Sequence, residues 1–156
     1  MNIKQVFTVV LFAGIFGLCA KPAIDPDMWW HLRTGEYILE NGIPYTDPGF
    51  SFTAGDRAWV THEWLTQVFM AGLYRFGGLW SLSLGFALIV TAAFGLSFAV
   101  SPGRPYVAGA VALLGVLAPY PIVGARPQMF NLLFGAVIIF MVERVRGGRM
   151  SARWFW

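Results

Sequence analysis

Leu79–Val100, LWSLSLGFALIVTAAFGLSFAV, contains no Asp, Glu, Lys or Arg. A helix needs about 20 mainly apolar residues to cross the ~30 Å hydrocarbon core of a bilayer, and this run supplies them. Three further stretches share its character, at about 5–20, 106–124 and 128–142, the third of the four uncharged like the second. The expectation is an all-α membrane protein. It has about four transmembrane helices in a single unit and a long, partly helical extracytoplasmic first loop over 21–78.

The composition agrees. The chain has 156 residues, 57% of them hydrophobic and only 12% charged, and its mean hydropathy is +0.62. Soluble domains carry about 25% charged residues, so eleven cations and eight acids leave too little polar surface for one. The net charge of +3 is small and the cations form no stripe, which excludes nucleic acid as a partner. Cys19 is the single cysteine and cannot close an internal disulfide.

The first apolar run has two readings. Its short basic start and the Leu18-Cys19-Ala20 end resemble a secretory signal peptide. Bulky Leu18 disfavours a lipoprotein site, the cleavage signal is mediocre, and a retained first helix is preferred.

Charge sets the orientation. With four spans and a cytoplasmic start, the inside holds Lys4, Arg104, Arg144, Arg146, Arg149 and Arg153 against Glu143. The outside holds Lys21, Arg33, Arg57, Arg75 and Arg126 against Asp25, Asp27, Glu36, Glu40, Asp47, Asp56 and Glu63. The arginine-rich tail beside a membrane end is the useful signal and puts both termini in the cytoplasm. The same arginines can attract anionic lipid headgroups, at ~1 kcal/mol each.

The 21–78 loop is rich in aromatics, from Trp29 and Trp30 to Tyr74 and Phe76. Disordered segments are poor in them, so the loop is expected to fold. Asp25 can cap a helix whose first residue is Pro26, a position where the missing N–H costs nothing. Asn41-Gly42 supplies the stop. Pro44, Pro48, Gly49 and Gly55 mark irregular chain. A second helix is expected from about Thr61, its apolar face made by Trp64, Leu65, Val68, Phe69, Gly72 and Leu73. It reads as interfacial.

Candidate chemistry concentrates in Asp25-Pro26-Asp27-Met28-Trp29-Trp30-His31-Leu32-Arg33. Two carboxylates just outside a span can take a proton from a hydroxyl or hold a divalent cation such as Mg²⁺ or Mn²⁺. They can equally serve as a helix cap and a first-turn acid. His31 lies four residues after Asp27, so the two share a helix face and could share a proton or a metal; an exposed loop histidine is the commoner case. His62-Glu63 begins a zinc-protease motif, but the second histidine is replaced by Thr66, and that reading fails. Glu63 remains a substrate-binding candidate or a first-turn acid behind a Thr61 cap. Arg126 could hold a phosphate through parallel hydrogen bonds, snorkel to the interface, or pair with a loop acid.

The motifs together resemble the GT-C glycosyltransferases, and more closely a bacterial group of polytopic membrane proteins. In that group an Asp-Pro-Asp-x-Trp-Trp-His-Leu string precedes a Gly-x-Pro-x-x-Asp-Pro turn and a Glu-Trp-Leu helix. Here these are Asp25–Leu32, Gly42–Pro48 and Glu63-Trp64-Leu65, followed later by Ala125-Arg126-Pro127-Gln128. Gly49 departs from the pattern by separating Pro48 from Phe50.

The resemblance implies a multi-pass protein of the bacterial plasma (inner) membrane that takes a polyprenyl-phosphate-linked sugar donor from the lipid on the extracytoplasmic face. Asp25 and Asp27 fall at its catalytic position, and His31, Arg33, Glu63 and Arg126 are the substrate-binding candidates. GT-C chains are much longer, so this sequence is expected to be the amino-terminal part of a larger protein and inactive alone. The alternative is a non-catalytic membrane scaffold or assembly subunit whose loop docks a partner. The sequence leaves the sugar, the acceptor and the oligomeric state open.

Overall fold

The computed structural model describes every residue but Ala54, Asp56, Pro102 and Trp156, and for Ala152 and Phe155 the backbone alone. Asp56, counted above among the loop acids, therefore lies outside the described residues. Among these residues the regular structure is helical: α1 (Ile3–Cys19), α2 (Pro26–Asn41), α3 (Trp64–Val100), α4 (Pro105–Leu117) and α5 (Gln128–Arg146), with 3₁₀ turns at Tyr120–Ile122 and Ala152–Phe155. Thr46 and Ala58 form an isolated antiparallel bridge. α3 and α5 are long and apolar enough to cross a membrane, while α1 and α4 are shorter apolar helices.

Local signals account for most boundaries. Asn2 and Gln5 close a capping box at the start of α1, satisfying two free amides reciprocally. Asp25 caps α2 with Pro26 in its first turn, and Gly42 ends it at φ 83°. α3 joins the two helices expected near 61–75 and 79–100 across a break at Gly77-Gly78, where Gly78 has φ 61°. The Ser81 hydroxyl donates to the Leu73 and Gly78 carbonyls, so the polar groups freed at the break find a partner within an apolar region.

Three expectations need correction. The third apolar run does not stay helical over 106–124: α4 stops at Leu117, and a 3₁₀ turn follows. Pro119 and Pro121 carry no amide hydrogen with which to continue the helical bonding, and Ala118, still in α geometry, caps the helix end. At 1.5 Å per residue, α4 extends only ~20 Å. Thr61 is not the cap of α3; the helix starts at Trp64 behind Glu63, with no side-chain cap. The first turns of α3 bury Gln67, Met70 and Ala71, not the expected apolar face, and leave Trp64, Leu65 and Phe69 exposed. Gly35 of α2 lets the two helices approach closely, against the Gln67 backbone and Ala71, whereas the bulky apolar side faces outward toward α5 and the surroundings.

α3 is the hub, packing against each of the other four α-helices. The core joins Ile15 and Cys19 of α1, Met28 and Leu32 of α2, Met70, Leu82, Phe86 and Val90 of α3, Ala112 and Val116 of α4, and Met129 of α5. Gly109 of α4 lies against Phe7 and Leu11 of α1, where an added Cβ would come within 2.7 Å of the Phe7 ring. Small residues of this kind let apolar helices approach without a polar contact.

The side-chain contacts fix the helix directions. Phe7 meets Tyr106 edge to face at 4.9 Å, and Lys21 Nζ donates to the Tyr120 carbonyl at 2.7 Å, so α1 and α4 run parallel. Phe12 meets Phe98, and the Ala23 amide donates to Ser83 Oγ at 3.1 Å, so the second part of α3 runs against α1. Phe130, near the start of α5, packs against Phe69 and Phe86. The chain therefore alternates in direction. Residues 21–78 and 118–127 gather at one end of the bundle. The amino terminus, the α3–α4 connection and the carboxyl-terminal arginines gather at the other.

Candidate functional site

The Asp25 string and the Ala125-Arg126-Pro127-Gln128 segment meet at the loop end of the bundle. Arg126 pairs with Asp25 through Nε and Nη2, both on carboxylate oxygen Oδ2. The other oxygen, Oδ1, accepts the Asp27 amide at 2.9 Å. Asp25 is thus at once the cap of α2 and the partner of an arginine 101 residues away. The pair is only partly buried, with 16% of the Asp25 and 31% of the Arg126 side chain exposed. It acts mainly as a clasp between α2 and the turn before α5. Of the three readings of Arg126, pairing with a loop acid is the one this contact shows. Its Nη1 has no protein partner among the described residues.

Asp27 differs. It sits in the first turn of α2, exposed, and its carboxylate makes no hydrogen bond or ion pair among the described residues. Two residues apart, one acid is committed to structure and the other is free.

His31 departs from the expected exposed loop histidine, being buried with 5% of its surface accessible. Its Nδ1 lies 3.5 Å from Glu63 Oε2 and 3.3 Å from Gln67 Nε2. Nor does it pair with Asp27 on the shared helix face. The reason is tertiary: α3 covers that side of α2, and Gln67, absent from the sequence-based candidates, completes the cluster. Gln67 is itself buried, and its Oε1 has no partner among the described residues. A polar side chain on a face that also carries Met70 and Ala71 was its only trace in the sequence. Glu63, 23% exposed, bridges this buried cluster to the surface, with Oε1 3.8 Å from His62 Nε2.

Burial pushes the His31 pKa below its usual value, outweighing the attraction of Glu63, Asp27 and Asp25, which act in the opposite direction. An unfolded histidine takes its proton near pH 6.5, whereas folded His31 stays neutral to lower pH. The unfolded state therefore binds more protons in that window, and stability falls as pH drops below about 6.5. The slope is at most ~1.4 kcal/mol per pH unit. Limited proteolysis of the 21–78 segment in membranes is expected to accelerate between pH 7 and 5.5. His31→Gln is expected to flatten that dependence. An equal acceleration in the variant would assign the effect to other groups.

A cavity of about 230 Å³ opens beside Glu63, lined by His62, Trp64, Thr66, Pro127 and Asn131. It continues through Leu65, Phe130 and Phe134 into a cleft of about 280 Å³ that also takes in Phe69. The result is one groove between the starts of α3 and α5, polar at its head and aromatic along its length. Helix amino termini carry partial positive charge and free amides, and those of α2, α3 and α5 all lie at this end.

Arg33 stands apart from the other candidates. It is exposed, 3.6 Å from Glu36, and lines an aromatic cup with Trp30, Phe50 and Trp59. The donor set does not favour a divalent ion. No three His, Cys, Asp or Glu side chains converge among the described residues, and the Asp25 carboxylate is occupied by Arg126 and the Asp27 amide.

Scans against protein-family models, curated proteins and solved structures return no match for this chain.

Proposed function

We propose that the chain carries the catalytic site of a GT-C-like membrane glycosyltransferase that draws a polyprenyl-phosphate-linked sugar from the lipid. One observation carries this reading. The Asp25 string and the Arg126 segment, the two motifs behind the resemblance, are joined by an ion pair across 101 residues of chain, beside a groove that is polar at one end and aromatic along its length.

On this reading α1, α3, α4 and α5 all cross the inner membrane of a bacterium. The alternation of helix directions and the arginine tail support cytoplasmic termini and an extracytoplasmic 21–78 loop. α1 supports retention of the first span, because Ile15 and Cys19 are buried in the core. Flanking 3₁₀ chain and local thinning of the bilayer accommodate short α4.

The isoprenoid tail lies along Phe69, Phe130 and Phe134, and the phosphate sits near Arg126 Nη1 and the helix starts. Asp27, the free carboxylate, takes the proton of an acceptor hydroxyl. The hydroxyl oxygen bonds to the anomeric carbon from the opposite face, and the bond from that carbon to the phosphate oxygen breaks. Its electron pair leaves on the lipid phosphate, and the configuration inverts. Arg126 stabilises the departing charge, and Asp25 holds Arg126 in place.

The test is transfer of labelled sugar from a polyprenyl-phosphate donor by the full-length gene product in membranes. Cysteine labelling checks the topology. Thr53→Cys, with Cys19 replaced, is expected to react with an impermeant reagent in intact cells; reaction only after permeabilisation would reverse the orientation. A second reading has one observation in its favour. Tyr45 and Phe52 are almost fully exposed on the loop, as a surface that docks a partner would require. A full-length protein that transfers no sugar from any polyprenyl-phosphate donor would leave the scaffold reading standing.

A further inference from the structure

A second concavity, of about 290 Å³, is lined by Trp30, Arg33, Phe50 and Trp59. Its walls stand nearly perpendicular. Trp30 meets Trp59 at 6.2 Å and 78°, and Phe50 meets Trp59 at 5.6 Å and 74°. Each wall is fixed from behind. Trp30 lies on the buried His31 ring at 4.2 Å. Phe50 is held by its amide, which donates to Asp47 Oδ1 at 2.8 Å, while Ser51 donates to Oδ2. Gly49 makes this turn at φ 91°, a left-handed conformation that favours glycine. Trp59 is held where its amide donates to the Tyr45 carbonyl, beside the bridge of Asp47 to Arg57. The Gly42–Pro48 turn, which the proposed chemistry does not use, thus builds this cup.

The occupant follows from shape and charge. The volume falls just below the ~300–1,000 Å³ of pockets for drug-sized ligands, so the cup suits a single ring. Aromatic cages of this form also take quaternary ammonium groups, but of the Arg33–Glu36 pair it is the guanidinium that lines the cup, and a cation there is repelled. A pyranose offers apolar C–H faces to the rings and a polar edge to the rim. A carboxylate on that edge matches the fork of Arg33.

We propose that the cup formed by Trp30, Arg33, Phe50 and Trp59 is a subsite for an acidic pyranose, a hexuronate unit of the acceptor saccharide. The proposal rests on the transferase reading for the word acceptor, and on the cup alone for the ligand. Asp27 and Trp30 lie three residues apart on α2 and are neighbours on its surface. A sugar held on Trp30 therefore presents its hydroxyls one helical turn from the free carboxylate.

Binding is measurable without donor or turnover, which separates this proposal from the reading it deepens. The purified protein in lipid nanodiscs is titrated with methyl glucuronide, methyl glucoside and adenosine monophosphate, followed by saturation-transfer NMR. Saturable binding of the glucuronide is expected, about tenfold tighter than the glucoside. Trp59→Ala is expected to weaken it by about tenfold or more, the scale of one lost stacking contact. Arg33→Gln, on an exposed side chain that the fold does not need, is expected to bring the glucuronide down to the level of the glucoside. Three outcomes would each overturn the proposal: no saturable binding of the glucuronide, glucuronide binding unchanged by Arg33→Gln, or tighter binding of the nucleotide than of the sugar. Glucuronide binding in a protein that transfers no sugar would keep the subsite and remove the transferase.

Discussion

Asp27→Asn is expected, on the proposed transferase reading, to lower sugar transfer by about 10²–10⁴-fold, the usual cost of losing a general base, while membrane expression stays at the wild-type level. The structure separates this residue from its neighbour. Asn is isosteric with Asp but cannot take a proton, and exposed Asp27 supports no hydrogen bond or ion pair among the described residues. All that the fold loses is a favourable charge at the start of α2, ~0.3–1 kcal/mol. Asp25→Asn predicts a different phenotype. Asn caps a helix about as well as Asp, so the bond to the Asp27 amide survives, but Arg126 loses its counter-charge. The expected result is a protein that still turns over, with weakened hold on donor and lower stability. Transfer assays on both variants, with expression measured alongside, decide the matter. Wild-type transfer by Asp27→Asn would remove Asp27 from the chemistry. Collapse in Asp25→Asn alone would move the base to Asp25.

The parts of the fold legible in the sequence were those set by neighbouring residues. The ends of α2 follow from Asp25-Pro26 and Asn41-Gly42 because a cap and a left-handed stop act within one turn. The end of α4 was obscured because hydropathy over 106–124 outweighed Pro119 and Pro121 in the reading, although prolines decide backbone geometry whatever the polarity around them. The site was harder for a different reason. The burial of His31 depends on Glu63 and Gln67, more than thirty residues on, and the role of Asp25 depends on Arg126. That Arg126 would find a loop acid was one of its expected fates; which acid required the helix packing. The aromatic cup was invisible because Trp30, Phe50 and Trp59 converge only after the Asp47 turn folds the loop back on α2.

Gly35→Ala is expected to be the most damaging single-methyl change in the loop. α2 crosses α3 so closely at Gly35 that an added Cβ would fall on the Gln67 carbonyl oxygen, 2.6 Å from the carbonyl carbon and 3.0 Å from the Ala71 Cβ. Elsewhere an overpacked methyl can be relieved by rotating a flexible side chain. Here the obstacle is helix backbone, so α2 itself must move away from α3. Overpacking typically costs ~1–3 kcal/mol and occasionally more; with backbone against backbone, ~3 kcal/mol is expected. Against this, Ala gains only ~1 kcal/mol in helix propensity, and packing wins. Gln67 and His31 lie at the same crossing, so the displacement also opens the His31–Glu63–Gln67 cluster and drags Asp27 and Trp30 out of register with Arg126. The variant is expected to insert in membranes, because α3 and α5 keep their apolar length. Its loop should be cut rapidly by protease and its sugar transfer lost. Thermal unfolding followed by loop proteolysis measures the effect. A melting profile within a degree of wild type would show that α2 does not rest on α3 at this glycine, and the placement of His31 and Asp27 derived from that contact would fall with it.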